Sequence, residues 1–358
     1  MSVAFAGFYR GKKVLVTGHT GFKGGWLTVW LRMMGSVVCG FSLPPDTTPN
    51  VFRAARVEDG IVSVMGDVRD RGAVAAAFRQ FEPEIVIHCA AQALVRRSYR
   101  DPVDTYATNV MGTVHVLEAV RQTQSVRALV VVTSDKCYEN REWERGYCEG
   151  DAMGGFDPYS SSKGAAELVT GAYRRSFFGH EDSPVIASAR AGNVIGGGDW
   201  SEDRLVPDIA RGIASGRPIL IRRPESVRPW QHVLEPLRGY LLLAQRLWEQ
   251  GQDYAEAWNF GPKETDAIAV RKLAERMITA WGRGELKIQA DRDAPHEAHW
   301  LRLDCRKAAE RLGWTPVLDL RRAVEWTVEW YRGYYQNPSF ARELTETQIA
   351  RYMSSVRG

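Results

Sequence analysis

A doubly wound parallel α/β sheet, followed by a smaller C-terminal part, is the fold class this sequence predicts. Three observations carry that expectation. Short Val- and Ile-rich runs alternate with helical periodicities as far as Arg190, the first run ends in a Gly-rich turn that opens a helix, and the alternation loosens after Gly192.

Taken in order, Lys13–Thr17 reads as a short buried strand, Gly18 to Gly24 as the turn, and residues 26–34, apolar at helical spacing, as the helix behind it. Further strands are expected at 37–41, 61–65, 85–89, 128–134 and 185–190, with helices over 71–81, 103–121 and 159–178 between several of them. In such a sheet ligands sit outside the C-terminal ends of the strands. Gly18, Ala90, Ala91, Ser134 and Asn193 all fall there, so one cleft can hold them together. Past Gly192 the pattern predicts a loop at 196–200 and helices over 204–215 and 233–248. The expected division is 1–191 for dinucleotide binding and 192–358 for a mainly substrate-binding part, with the chain crossing between the two.

Composition narrows the function classes. With 358 residues, 44% of them hydrophobic, the chain can bury a substantial core. A net charge of +4 over that length, with Lys and Arg scattered apart from pairs such as Arg96-Arg97 and Arg222-Arg223, argues against nucleic acid and for a small phosphorylated ligand. The five cysteines, at 39, 89, 137, 148 and 305, are odd in number and lack metal-ligand spacing, so neither a disulfide framework nor a metal site is indicated. Residues 1–9 are too short and carry no basic leader for a signal peptide, and no apolar run approaches membrane-spanning length. A cytoplasmic protein without membrane contact is the expectation.

The chemistry is concentrated between residues 133 and 163. Thr-Ser-Asp-Lys-Cys-Tyr (133–138) ends a Val-rich run, and Tyr159-x-x-x-Lys163 follows on a helical pattern. Four residues are about one helical turn, so Tyr159 and Lys163 project from one face, where an ammonium can stabilise a phenolate and lower its pKa. Tyr9 and Lys13 show the same spacing just before the first strand, where no such helix can begin; context separates the two pairs. The Gly-rich turn completes the picture, since Gly18, Thr20, Gly21, Phe22, Lys23 and Gly24 lie where a backbone can approach a pyrophosphate at a helix N-terminus.

With these residues in place, the chain resembles the extended short-chain dehydrogenase/reductases, a Rossmann-fold superfamily, and within them the CDP-glucose 4,6-dehydratases. The motifs that carry the resemblance are Thr-Gly-His-Thr-Gly-Phe-Lys-Gly (17–24), His-Cys-Ala-Ala-Gln (88–92), Thr-Asn-Val-Met-Gly-Thr (108–113), Thr-Ser-Asp-Lys-Cys-Tyr, Asp-Pro-Tyr-Ser-Ser-Ser-Lys (157–163), Arg-Ala-Gly-Asn-Val-Ile-Gly-Gly-Gly-Asp-Trp (190–200), Arg-Pro-Trp-Gln-His-Val (228–233) and Pro-His-Glu-Ala (295–298). The resemblance implies an NAD site lined by the Gly-rich turn, Asp67, Ala90, Ala91, Gln92 and Thr108, with Lys163 on the nicotinamide ribose. It implies Tyr159 as base for the sugar 4-hydroxyl, Ser134 on the same oxygen and Asp135 as acid at C6. Asn193, Arg204, Arg228 and His296 would hold the substrate. Asp67 fits equally well as the cap of the helix that follows it.

The implied reaction converts CDP-glucose to CDP-4-keto-6-deoxyglucose and water by oxidation at C4, elimination across C5 and C6, and reduction at C6, within deoxysugar and lipopolysaccharide O-antigen biosynthesis. Two departures from the wider dehydratase pattern stand out. Lys136 replaces a carboxylate that would remove the C5 proton, so it acts there either as a base of lowered pKa or as a fixed charge beside the developing enolate. Ser42 ends the second strand where an acidic residue usually meets the adenosine ribose, which implies weak NAD binding and no exclusion of NADP. Competing readings are a sugar-nucleotide 4-epimerase, a UDP-sugar decarboxylase, a dehydratase for another nucleotide, and a non-catalytic dinucleotide sensor. The resemblance also implies a homo-oligomer, a dimer or dimer of dimers, paired through helices 103–121 and 159–178.

Overall fold

Strict alternation builds the centre of this molecule. Val14, Val16, Ile85, Ile87, Ala128 and Val130 turn to one face of a sheet, Leu15, Val86, Leu129 and Val131 to the other, and all are buried. Strands buried on both faces require helices on both. The computed structural model, which describes residues 5, 7–180, 182–289 and 300–356, supplies them.

The chain runs β1 (Lys13–Thr17), α1 (Phe22–Met33), β2 (Val37–Ser42), α2 (Val51–Ala54), β3 (Val62–Met65), α3 (Arg71–Phe81) and β4 (Ile85–His88). It continues through α4 (Val95–Arg100), α5 (Pro102–Tyr106), α6 (Gly112–Gln122), β5 (Ala128–Val132), α7 (Pro158–Phe177) and β6 (Val185–Arg190). The second half holds β7 (Val194–Ile195), α8 (Leu205–Ser215), β8 (Ile219–Ile221), β9 (Val227–Pro229), β10 (Gln231–His232), α9 (Leu234–Gln250) and β11 (Ala257–Asn259). Last come β12 (Ala267–Ala269), α10 (Val270–Trp281), β13 (Leu286–Ile288), α11 (Arg306–Leu312), α12 (Leu320–Gln336) and α13 (Ala341–Ser355).

Seven strands form one parallel sheet in the order β11-β6-β5-β4-β1-β2-β3. The order reverses at β1 and β4, and the C-terminal ends of those strands face the Gly-rich turn, as expected of this topology. The edge strand β11 comes from the second half of the chain, and α9 packs against β5 and β6. A strand of three residues carries no period that a sequence pattern can show.

The helix expected over 103–121 is broken. α5 ends at Tyr106, a π turn spans Ala107–Met111, and α6 starts at Gly112. Asn109 sits inside the π turn with its side chain committed elsewhere: it accepts from Gln92 N at 2.8 Å and donates to Gln92 O at 2.9 Å and Ser162 Oγ at 2.8 Å. α1 begins at Phe22, a turn before the expected start, because Gly24 and Gly25 are helical despite their poor propensity. At the far end of the chain α13 lies on α1 and α2. Arg32 reaches Glu346 at 2.5 Å, Arg342 reaches Asp59 at 2.8 Å, and the Trp30 and Tyr352 rings meet edge to face at 5.7 Å. Among the described residues no helix is long and apolar enough to cross a membrane.

Candidate active site

Gly18 leaves β1 at φ +78°, a backbone conformation glycine adopts without strain. A Cβ on it would lie 2.8 Å from Ala90 N, and one on Gly24 would lie 2.0 Å from Gly18 O, so the turn closes only with hydrogen at both positions. α1 then starts behind Gly21 with no side-chain cap and no acidic residue in its first turn. Its unpaired N–H groups and the positive end of its dipole are left for an anion. A cavity of about 360 Å³ opens there, lined by Gly18, Thr20, Gly21, Phe22, Lys23 and Gly24, then by Asp67, Ala90, Ala91, Gln92 and Thr108, and on its inner side by Tyr159 and Lys163. Every cofactor residue expected from the sequence lies on its wall.

A second cavity, of about 350 Å³, adjoins it and is lined by Ser134, Asp135, Lys136, Asn193 and Arg228. Lys23, Tyr159 and Arg204 line both. Beyond β5 the chain makes a single 3-10 turn, Asp135–Cys137, capped by Ser134, whose Oγ accepts from Lys136 N at 3.2 Å. The buried Asp135 carboxyl accepts from Ser134 Oγ at 2.9 Å and from Asn193 Nδ2 at 3.2 Å. Asn193 holds that position at φ +50°, a left-handed conformation that Asn tolerates. α7 is started by Asp157, which accepts from Ser160 N at 2.9 Å and Ser160 Oγ at 2.6 Å, with Pro158 in the first turn. That start places Tyr159 at the junction of the cavities and Lys163 one turn on, in the wall of the first. His296 and the Pro-His-Glu-Ala motif lie outside the described residues.

Residues 15–327, most of the chain, match the family described as GDP-mannose 4,6 dehydratase. The chain belongs to that family. Its members are extended short-chain dehydrogenase/reductases. Within this relationship the chain is 50% identical over 357 residues to a CDP-glucose 4,6-dehydratase of Salmonella typhimurium, the match covering 98% of each. Among solved structures it is similar to the UDP-glucose 4-epimerase of Thermus thermophilus in complex with NAD, at 27% identity and a TM-score of 0.78, covering 90% of this chain and 99% of that one. It shares its fold with the dTDP-glucose 4,6-dehydratase of Bacillus anthracis, at 20% identity and a TM-score of 0.75, covering 93% and 100%.

In this member of the family burial works against the expected lowering of the Tyr159 phenol. Burial pushes the Tyr159 phenol up to about 12, with Ser134 acting the other way, and burial brings Lys163 down to about 8, with Lys23 adding to the fall. Desolvation is the largest influence on both groups. Asp67 does not cap α3: Asp70 does, accepting from Gly72 N and Ala73 N, while Asp67 is held by Arg69 at 2.8 Å, which keeps its carboxyl below the ordinary range. Ser42 turns toward the Gly-rich loop, its Oγ 2.8 Å from Thr20 Oγ1.

Some residues of the site were missed. Lys23, in sequence part of the pyrophosphate turn, is half-buried, brought down to about 8 mainly by desolvation, and reaches the Tyr240 hydroxyl at 3.5 Å. Asp199 pairs with Arg204 at 2.9 Å; its burial opposes the charge, but Arg204 and Ser201 hold its carboxyl below the ordinary range. Gln231 Nε2 donates to Gly192 O at 3.2 Å and Phe260 O at 2.9 Å, pinning the loop that carries Asn193. Arg222 and Arg223, read from sequence only as a local basic pair, line the second cavity. The signal for Asp199 was present in Gly-Gly-Gly-Asp-Trp; those for Lys23 and Gln231 lie in partners 29 or more residues distant.

Proposed function

We propose that this chain is a CDP-glucose 4,6-dehydratase, a hydro-lyase forming CDP-4-keto-6-deoxyglucose and water. The observation that carries this is the identity of half its residues, along nearly the whole length of both chains, with a protein of that activity. The glycine cradle and the uncapped start of α1 suit a dinucleotide pyrophosphate, and the Thermus thermophilus relative binds NAD. NAD held there would accept hydride from sugar C4 and return it at C6, so that no net reduction accumulates. Thr20, Asp67, Ala90, Ala91, Gln92 and Thr108 are the residues to hold it, with Lys163 on the ribose.

The protein's own residues divide the proton work. Tyr159 takes the proton of the C4 hydroxyl while Ser134 holds the same oxygen. A ketone at C4 makes the C5 proton acidic. Asp135 gives a proton to the departing C6 hydroxyl, and Lys136, on the wall of the same cavity, is either the C5 base or the fixed positive charge beside the enolate. Asn193, Arg204, Arg228 and His296 hold the CDP portion, with cytidine preferred on the strength of the Salmonella relative.

A cytoplasmic homo-oligomer is part of the same proposal. It is supported by exposed apolar side chains on α5–α7 and the π turn between them: Val103 is 77% exposed, Leu168 63%, Met111 47% and Phe177 45%. The test of activity is incubation of the purified protein with NAD and a panel of nucleotide-glucoses, read by mass. CDP-glucose should lose one water without stoichiometric build-up of NADH. An isomer of unchanged mass would overturn the proposal in favour of a 4-epimerase.

A further inference from the structure

Thr133 and Tyr138 bracket the turn that carries Ser134, Asp135 and Lys136, and both are tied to one buried ion pair. Glu167 on α7 and Arg190 at the end of β6 meet at 2.8 Å with side chains 3% and 4% exposed. Thr133 Oγ1 donates to Glu167 at 2.5 Å and Ser188 Oγ does so at 2.7 Å. Arg190 donates to the Tyr138 hydroxyl at 2.7 Å, and that hydroxyl donates to Asn259 Oδ1 on β11 at 2.8 Å. Burial acts against the Glu167 charge, but Arg190 and the two hydroxyls hold its carboxyl below the ordinary range.

The geometry links this pair to both halves of the chemistry. Glu167 follows Lys163 by four residues and Tyr159 by eight, about one and two turns of the same rigid helix. Gly192, two residues past Arg190, floors the acid so closely that a Cβ on it would lie 2.0 Å from Asp135 Oδ2. Glu167, Arg190 and Tyr138 line neither cavity. Desolvation cancels much of the attraction in a buried ion pair, so such a pair is a poor source of stability. Its directed hydrogen bonds, however, fix the separation of the elements that carry them.

We infer that the Glu167–Arg190 pair, acting through Thr133 and Tyr138, is a positioning device that sets where the Asp135 carboxyl stands relative to Tyr159. This rests on the proposal that Asp135 is the acid for elimination. Tyr159 is built into α7, whereas Asp135 hangs from the bracketed turn. Loosening the clamp therefore displaces Asp135 and leaves Tyr159: oxidation at C4 persists and loss of water slows.

The test uses the NAD-loaded full chain with CDP-glucose and three variants. Tyr138→Phe removes one hydroxyl and keeps the ring, so it remains informative should Glu167→Gln fail to fold. Tyr138→Phe is expected to lower kcat about 10- to 100-fold, the scale of a small misplacement of a reacting group, with KM and NAD affinity by calorimetry at parent values. In a single turnover its reduced-nicotinamide absorbance should decay more slowly than the parent's. An unchanged kcat overturns the inference, and so does a fall in kcat matched by losses of NAD affinity and melting temperature, which marks a merely structural role. Asp135→Asn, run alongside, separates the two ideas. If it does not prolong the reduced-nicotinamide phase, the acid role is wrong and the clamp falls with it; if it does and Tyr138→Phe does not, the clamp alone is wrong.

Discussion

Burial sets the starting point of each titrating group in the cleft. Burial holds the Tyr159 phenol up at about 12, so its role as base needs a cation beside it, which the nicotinamide ring of bound NAD would supply. Tyr159→Phe removes that hydroxyl alone, so turnover is expected to fall about 100- to 10,000-fold while circular dichroism and NAD titration match the parent; near-parent turnover would make the tyrosine structural. Lys23 and Lys163 both stand near 8 in the folded chain, against 10.5 for an exposed lysine. Between those values the unfolded chain binds more protons than the folded one, so parent stability rises with pH there. The penalty for burying each ammonium is therefore complete below pH 8 and relieved as pH climbs toward 10.5. Lys23→Met should melt above the parent at pH 7, and the gap should narrow from pH 8 upward in a series of thermal melts. A gap independent of pH would place the Lys23 titration outside that window.

Elements show where sequence patterns are legible and where they stop. β1, β4 and β5 announce themselves because each alternates between two buried faces, and the Gly-rich turn because its shape admits no side chain at Gly18 or Gly24. Gly24→Ala sets a Cβ against the Gly18 carbonyl; the expected cost is about 1–3 kcal/mol or more, seen in urea unfolding, together with lost NAD affinity by calorimetry. The break in the 103–121 helix was not legible, because it depends on Asn109 meeting Gln92, 17 positions back, and Ser162, 53 positions ahead. Asn109→Ala leaves the Gln92 backbone groups without these partners and should cost about 1–3 kcal/mol; an unfolding free energy equal to the parent's would refute that account. The same limit applies in the cleft. Residue types that act by their own chemistry, such as Asp135, Tyr159 and Lys163, could be read from motifs, whereas Asp199, Gln231 and the Glu167–Arg190 pair act through partners that only folding brings near.

At the scale of the whole molecule, the exposed apolar side chains of α5–α7 are the proposed meeting face between copies. Leu168→Glu is expected to lower the mass measured by light scattering from that of an oligomer to 40.2 kDa, and an unaltered mass would move the interface elsewhere. α13 has a different consequence, one of timing. Its Glu346 lies 314 positions beyond its partner Arg32 on α1, and a ribosome adding about 5–20 residues per second needs roughly 15 to 60 s to cover that distance. Throughout that interval Trp30, 1% exposed in the finished protein, waits for the ring of Tyr352 that will cover it. The nascent chain, unlike the finished enzyme, then leaves this part of α1 uncovered, and it is the species that chaperones would meet. A stop codon after Gln336 would hold every chain in that state, and its product belongs in the insoluble fraction of the cell.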